Sequence, residues 1–258
     1  VTTEDIEQAA GILAASRSMG GRFNMFPDQC RPADLAQGYA VQDALHARLG
    51  GSIAGYKIGC TTPVMQKYLG IDHPCAGGIL ASSIHTSPAS LKYRDFRRVG
   101  VECEIAVRLG SDLPAGPFTR DSVAEAVAEC MAAIELVDDR YVDYTKLDAA
   151  SLIADDFFGA GCVLGEPRGN WQALDLAACA AFMTVNGKAA GRGTGALVLG
   201  HPLEALAWLA NSLAERDKTL KAGDIVMTGS MVETRWLEPG DWVDVTVEGL
   251  GVAAVTVT

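Results

Sequence analysis

Apolar positions in the first fifty residues recur at helical spacing. Ile6, Ala9, Ala10, Leu13 and Ala14 form one stripe. Thr2 and Asp5 just ahead of it have the spacing of a capping box, and Gly20-Gly21 stops the helix. A second helix, with Pro32 in its first turn, carries Leu35, Tyr39, Leu45 and Leu49 on one face and ends at Gly50-Gly51. From Ile53 the pattern changes to short β-like runs broken by Gly, Pro and Ser. Strands are predicted over 53–58, 78–84, 99–109, 161–164, 182–186, 224–228 and 242–247. Asn186-Gly187 is a hairpin signal. Two later stripes predict helices. Over 122–134 the stripe is Val123, Val127, Cys130, Met131 and Ile134; over 202–214 it is Leu203, Leu206, Leu209, Ala210 and Leu213. Strand and helix do not alternate regularly, which argues against a doubly wound sheet or a βα barrel. The expected fold is α+β, with a helical section over 1–52 and a β-rich catalytic domain over 53–258.

Composition narrows the class. The chain has 258 residues, 49% hydrophobic and 21% charged, enough for a large buried core and unlike disordered, collagenous or disulfide-scaffold sequences. Its formal net charge is −11, and Arg97-Arg98 is the one basic dipeptide, so neither nucleic acid nor an anionic membrane is an expected partner. Seven cysteines, an odd count with no C-x-x-C pair, read as reduced thiols. The first residues lack a charged-then-apolar leader pattern, and no apolar run reaches the roughly 18 residues of a membrane-spanning helix. A cytoplasmic protein is expected.

The chemistry is carried by carboxylates. Glu102 and Glu104 alternate with Val101, Cys103 and Ile105 along a predicted strand and so share one face. Adjacent carboxylates repel unless neutralised, and their oxygens suit Mg²⁺, Mn²⁺ or Ca²⁺; a solvated polar strand face is the alternative. Glu135 ends the 122–134 stripe among apolar neighbours, where a lone charge needs a partner. Asp138 and Asp139 follow as supporting groups or as a turn, with Arg140 as local counter-ion. Lys57 lies in the glycine-flanked run Gly55-Tyr56-Lys57-Ile58-Gly59, either as a proton-transfer group of lowered pKa or as a lysine reaching off an edge strand. Thr228, Gly229 and Ser230 end a strand in small polar residues that bind a carboxylate or simply turn the chain. Gly191, Gly193 and Gly195 match neither a phosphate loop nor a dinucleotide fingerprint. The four histidines show no metal-ligand spacing, which argues against zinc hydrolysis.

Together these stretches resemble the 2-keto-4-pentenoate hydratase family of the fumarylacetoacetate hydrolase superfamily. The landmarks are Gly55–Gly59, Val101-Glu102-Cys103-Glu104-Ile105-Ala106, Ala133–Arg140, Asn186-Gly187, His201-Pro202 and Gly223–Ser230. The resemblance implies a helical N-terminal part on a mixed β-roll or sandwich core, and a homo-oligomer. It implies Mg²⁺ or Mn²⁺ held by Glu102, Glu104 and Glu135, and a small 2-oxo acid substrate processed through an enolate. The implied reaction, in aromatic catabolism, is hydration of a 2-hydroxy-2,4-dienoate (2-oxo-4-enoate) to a 4-hydroxy-2-oxo acid, with Lys57 moving protons. Decarboxylation of a 2-oxo-3-enedioate, C–C cleavage of an acylpyruvate, and a weakly active paralogue that binds a partner enzyme are the alternatives. Two departures mark this chain. Cys75 stands where the family pairs the lysine with an aspartate, leaving Asp72 or His73 as substitutes. Asp155-Asp156-Phe157-Phe158-Gly159 replaces a smaller polar run and is expected to reshape the pocket. Asp156, Phe158, Thr228 and Ser230 are the expected substrate contacts. Without a carboxylate partner, burial is expected to lower the Lys57 pKa.

Overall fold

The computed structural model describes residues 2–114 and 116–258. The N-terminal part is α1 (Thr3–Met19) and α2 (Leu35–Leu49). Helix α1 starts at the expected Thr2/Asp5 capping box and stops at a left-handed Gly20. Helix α2 is capped by Asp34, so Pro32 lies ahead of the helix and not in its first turn. Then come β1 (Ile53–Gly59), α3 (Pro63–Leu69), β2 (Cys75–Leu80), β3 (Ile84–Thr86), β4 (Ala89–Leu91) and β5 (Val99–Leu109). The middle holds α4 (Arg120–Ala124), β6 (Val127–Asp138), α5 (Ala149–Ala154) and β7 (Gly159–Leu164). The last third is β8 (Ala180–Val185), β9 (Lys188–Thr194), α6 (Pro202–Ala214), β10 (Ile225–Ser230), β11 (Arg235–Trp236), β12 (Trp242–Val247) and β13 (Gly251–Val257).

The strands form two mixed sheets. The first runs β2-β1-β10-β5-β6-β7-β3, with β11 also paired to β5; the second runs β4-β13-β12-β8-β9. The expected α+β class with a mixed β-roll and sandwich core is what the chain adopts. Alternation along the central strands gives the first sheet two different faces. Val99, Val101, Cys103, Ile105 and Val107 of β5 join Val243, Val245 and Val247 of β12 in the main core between the sheets. The opposite face buries a smaller cluster that includes Ala106, Met131, Ala133, Cys162 and Met227. The first sheet curls until β2 packs against β7, so this second face becomes the interior of a roll. Helix α2 packs on α1 on one side and α5 on the other, fixing the helical section to the roll.

The helix expected over 122–134 is wrong. Only Arg120–Ala124 is helical, and Val127–Asp138 is the longest strand of the first sheet. It lies between β5 and β7 with nearly every residue buried, so its apolar residues fall on both faces. A strand buried on both sides loses its period of two and cannot be told from a buried helix by periodicity.

Candidate active site

The roll interior holds the carboxylates. Glu102 and Glu104 leave the same face of β5, and the antiparallel register sets Glu135 of β6 opposite Glu102 and Ala133 opposite Glu104. Directly opposed residues share a face, and diagonal neighbours stay within reach of long side chains. One oxygen from each of the three carboxylates therefore lies within 4.8 Å of the others. Glu104 and Glu135 are 0% and 1% exposed. The Gly229 amide donates to Glu104 Oε2 at 2.8 Å. Gly229 has φ of 125°, and a Cβ there would stand 2.6 Å from the Thr61 side chain, so this close approach requires glycine. Thr234 Oγ1 donates to Glu102 Oε1. Glu104 Oε1 and Glu135 Oε1 accept no hydrogen bond from the described residues. The latter has only a 2.9 Å ion-pair contact with Lys57 Nζ.

Burial, and then the charge of Glu135, pushes the Glu102 carboxyl up to about 7. Burial together with both neighbouring carboxylates raises Glu104 well above the ordinary range. Three carboxylates so close together, with Glu104 Oε1 buried and unpartnered, are costly by themselves. The all-oxygen donor set fits a hard divalent cation, which would remove that cost.

Lys57 is 4% exposed and its ammonium sits between Glu135 Oε1 at 2.9 Å and the Phe157 carbonyl at 2.9 Å. Burial works against the charge, but Glu135, and beyond it Glu102 and Glu104, outweigh that effect and raise the pKa. The expected lowering is thus reversed. The carboxylate partner comes from across the roll, not from the segment around residue 75.

A cavity of about 590 Å³ opens onto Lys57, Glu102 and Ser230. Phe158 lines it, as does Phe157. Asp72, Cys75 and Thr228 are not in its lining. Asp72 is exposed. Cys75 is fully buried behind Cys60, which does line the cavity; the thiol–thiol contact and burial hold the Cys75 thiol far above its usual range. Thr228 Oγ1 donates to the Ile105 carbonyl at 2.8 Å and faces the sheet. Ser230 Oγ donates to the Val232 carbonyl at 2.6 Å.

Asp156 is an anchor. Its Oδ1 lies 2.7 Å from His46 Nε2 and accepts from the Gly78 amide at 2.9 Å, while its Oδ2 pairs with Arg17 at 3.1 Å. Burial opposes its ionisation, but His46 and Arg17 prevail and hold its carboxyl below the usual range. Asp155 is bound by Arg17, Arg140 and Tyr141, so Arg140 is its counter-ion and not that of Asp138 or Asp139. Asp138 instead accepts from the Arg97 and Arg98 amides. These contacts pin three consecutive left-handed residues, Asp156, Phe157 and Phe158, with φ of 56°, 50° and 66°. Such non-glycine backbone costs about 1–2 kcal/mol per residue. The turn presents the Phe157 carbonyl to Lys57 and both rings to the cavity. Arg17, His46, Cys60, Tyr144 and Thr234 escaped sequence reading. Arg17, His46 and Tyr144 come from segments other than that of Lys57; Cys60 and Thr234 follow Lys57 and Ser230 closely; no motif spacing marks any of them.

The fumarylacetoacetate hydrolase C-terminal family model matches residues 79–258. The chain is 33% identical over 256 residues to a 2-keto-4-pentenoate hydratase of Burkholderia vietnamiensis (strain G4), covering 98% of this chain and 97% of the relative. It is 34% identical over 229 residues to a 2-hydroxyhexa-2,4-dienoate hydratase of Comamonas testosteroni, covering 84% and 86%. Among solved structures it is similar to a 4-oxalocrotonate decarboxylase from Pseudomonas putida G7 complexed with magnesium and adipate. The TM-score is 0.94 at 26% identity, covering 100% of this chain and 99% of the other. A fumarylpyruvate hydrolase from Pseudomonas aeruginosa with Mn²⁺ and pyruvate has the same fold over 79% of this chain and 88% of the other, with TM-score 0.64 at 17% identity. The chain belongs to the 2-keto-4-pentenoate hydratase family of the fumarylacetoacetate hydrolase superfamily.

Proposed function

We propose that the protein is a divalent-metal-dependent hydro-lyase that hydrates a 2-hydroxy-2,4-dienoate to a 4-hydroxy-2-oxo acid in aromatic catabolism. The observation that carries this reading is the convergence of Glu102, Glu104 and Glu135, with Glu104 Oε1 unpartnered, beside the buried ammonium of Lys57. Relatives named as hydratases over nearly the whole chain support it. Glu102, Glu104 and Glu135 would hold Mg²⁺ or Mn²⁺. A bound cation supplies Lewis-acid polarisation of a 2-oxo group. Lys57 holds a proton at Nζ within the cavity wall and exchanges it with the bound acid; the Phe157 carbonyl keeps that ammonium oriented. In this reading residues 1–52 brace the site and 53–258 carry it. The enzyme works as a cytoplasmic homo-oligomer, in keeping with seven free cysteines. Among the described residues no helix is long and apolar enough to cross a membrane.

Whole-chain similarity to the magnesium-complexed decarboxylase favours one second reading, decarboxylation of a 2-oxo-3-enedioate. A single assay separates the two. Loss of dienoate absorbance is followed with Mg²⁺, with Mn²⁺ and with chelator, for 2-hydroxypenta-2,4-dienoate and for 4-oxalocrotonate, with carbon dioxide measured in parallel. Metal-dependent loss of the dienoate without carbon dioxide is expected. Carbon dioxide from the enedioate with no hydration would transfer the assignment to the decarboxylase, and no metal-dependent turnover of either would reject both.

A further inference from the structure

The cavity is larger and more apolar than a five-carbon acid needs. Its volume of about 590 Å³ falls in the range that encloses drug-sized ligands. The buried charged groups of its lining are Lys57 and Glu102. An aromatic wall starts at Lys57, whose Nζ lies 5.4 Å from the Phe157 ring centroid, and continues from Phe157 to Phe158, 5.9 Å apart at 68°, and on to Tyr144, 5.4 Å from Phe158 at 77°. Tyr141 backs the Phe158 ring at 4.8 Å and 80°. Edge-to-face packing fixes these rings as a wall. Facing solvent around the cavity are Met65, Tyr68 and Leu197, which are 41%, 56% and 50% exposed. Large apolar groups left open beside an apolar wall gain most when a ligand covers them.

The charges around the cavity speak against a second carboxylate. Among the described residues, the charged lining residues besides Lys57 and Glu102 are Arg192 and Glu233, both exposed and of opposite sign. Neither provides a buried cation for a distal anion.

The geometry points to a subsite for an extended apolar tail: the preferred substrate is a 2-hydroxy-2,4-dienoate bearing an aryl or longer alkyl substituent beyond C5. Phe158 is the specificity-determining residue and the turn over 156–158 is its mount. This inference rests on reading the site as one for 2-oxo acids, so the test uses saturated 2-oxo acids that bind without reacting. With Mg²⁺ present, calorimetry gives the dissociation constants of 2-oxobutanoate, 2-oxo-5-phenylpentanoate and 2-oxoadipate. The phenyl-tailed acid should bind at least about tenfold tighter than 2-oxobutanoate, because its ring buries additional apolar surface. 2-Oxoadipate should gain nothing. Phe158→Ala should narrow the phenyl-to-ethyl ratio at least about threefold, and Phe158→Leu, which keeps apolar bulk and protects against misfolding, should narrow it less. Equal binding of the phenyl and ethyl acids overturns the subsite. Tightest binding of 2-oxoadipate overturns it in favour of a carboxylate at the mouth. Binding of Mg²⁺ with no binding of any of the three acids rejects the 2-oxo acid site itself, a distinct failure.

Discussion

Removing one of the three clustered carboxylates should stabilise the metal-free protein while destroying its site. Glu102 is the cleanest perturbation, because its carboxyl is raised from an ordinary 4.5 to about 7 by burial and by Glu135. A carboxyl raised in the folded state costs nothing below its unfolded pKa. It destabilises progressively as pH climbs from 4.5 to about 7 and imposes the full cost above that. The full cost is about 3 kcal/mol. Glu102→Gln keeps an acceptor for Thr234 and removes the charge. In chelator at pH 8, the variant should therefore unfold at a temperature roughly 6–12 °C above wild type, at about 2–4 °C per kcal/mol for a chain of this size. The gap should close as pH falls toward 4.5. Adding Mg²⁺ at pH 8 should raise the wild-type midpoint much more than that of the variant, since the cation replaces the missing neutralisation. Thermal melts from pH 4.5 to 8, with and without metal, read all of this. If Glu102→Gln in chelator at pH 8 is no more stable than wild type, the carboxylates do not burden one another and the cation-site argument fails.

Two further outcomes are expected. Lys57→Ala should lower turnover of a dienoate substrate by about 10²-fold or more while the affinity for Mn²⁺, followed by its electron paramagnetic resonance signal, stays within a few-fold; an equal loss of both would show that Lys57 only supports the metal site. Asp155→Ala leaves Arg140, which is buried, and the Tyr141 hydroxyl without their carboxylate, and should cost about 3–5 kcal/mol in urea unfolding, whereas a loss under 1 kcal/mol would show that the pair is solvated.

How much of this was legible in the sequence depends on how local each signal is. Strands 99–109 and 242–247 and the helix over 202–214 follow their patterns to the residue: β12 and α6 each keep one face outside the core, and β5, buried on both faces, alternates β-branched Val and Ile with other residues. Strand β6 does not, because it is buried on both faces and carries three Ala and two Glu among its twelve residues, types that favour helix when context is silent. That error misplaced Glu135 at a helix end. The shared face of Glu102 and Glu104 follows from alternation alone, but their meeting with Glu135 needs the β5–β6 register, which only the folded sheet supplies. Cys75 looked like a missing partner for Lys57 because it stands where the resembled family carries an aspartate; the curl of the sheet brings Glu135 to the lysine instead.

The same curl explains why the helical section matters to a site it does not line. Arg17 on α1 and His46 on α2 each reach the 155–156 carboxylates from more than a hundred residues away in sequence. Unbraced, the three left-handed residues that follow would relax toward ordinary backbone, since each is unfavourable for a side chain with a Cβ. Relaxation would withdraw the Phe157 carbonyl from Lys57 and swing the Phe158 ring off Tyr144. The ion pairs of Arg17 with Asp155 and Asp156 are nearly enclosed, so they hold direction as well as charge. The helices thus act on the chemistry through a strained turn, and a change on their buried polar face reaches the lysine before it reaches the carboxylates.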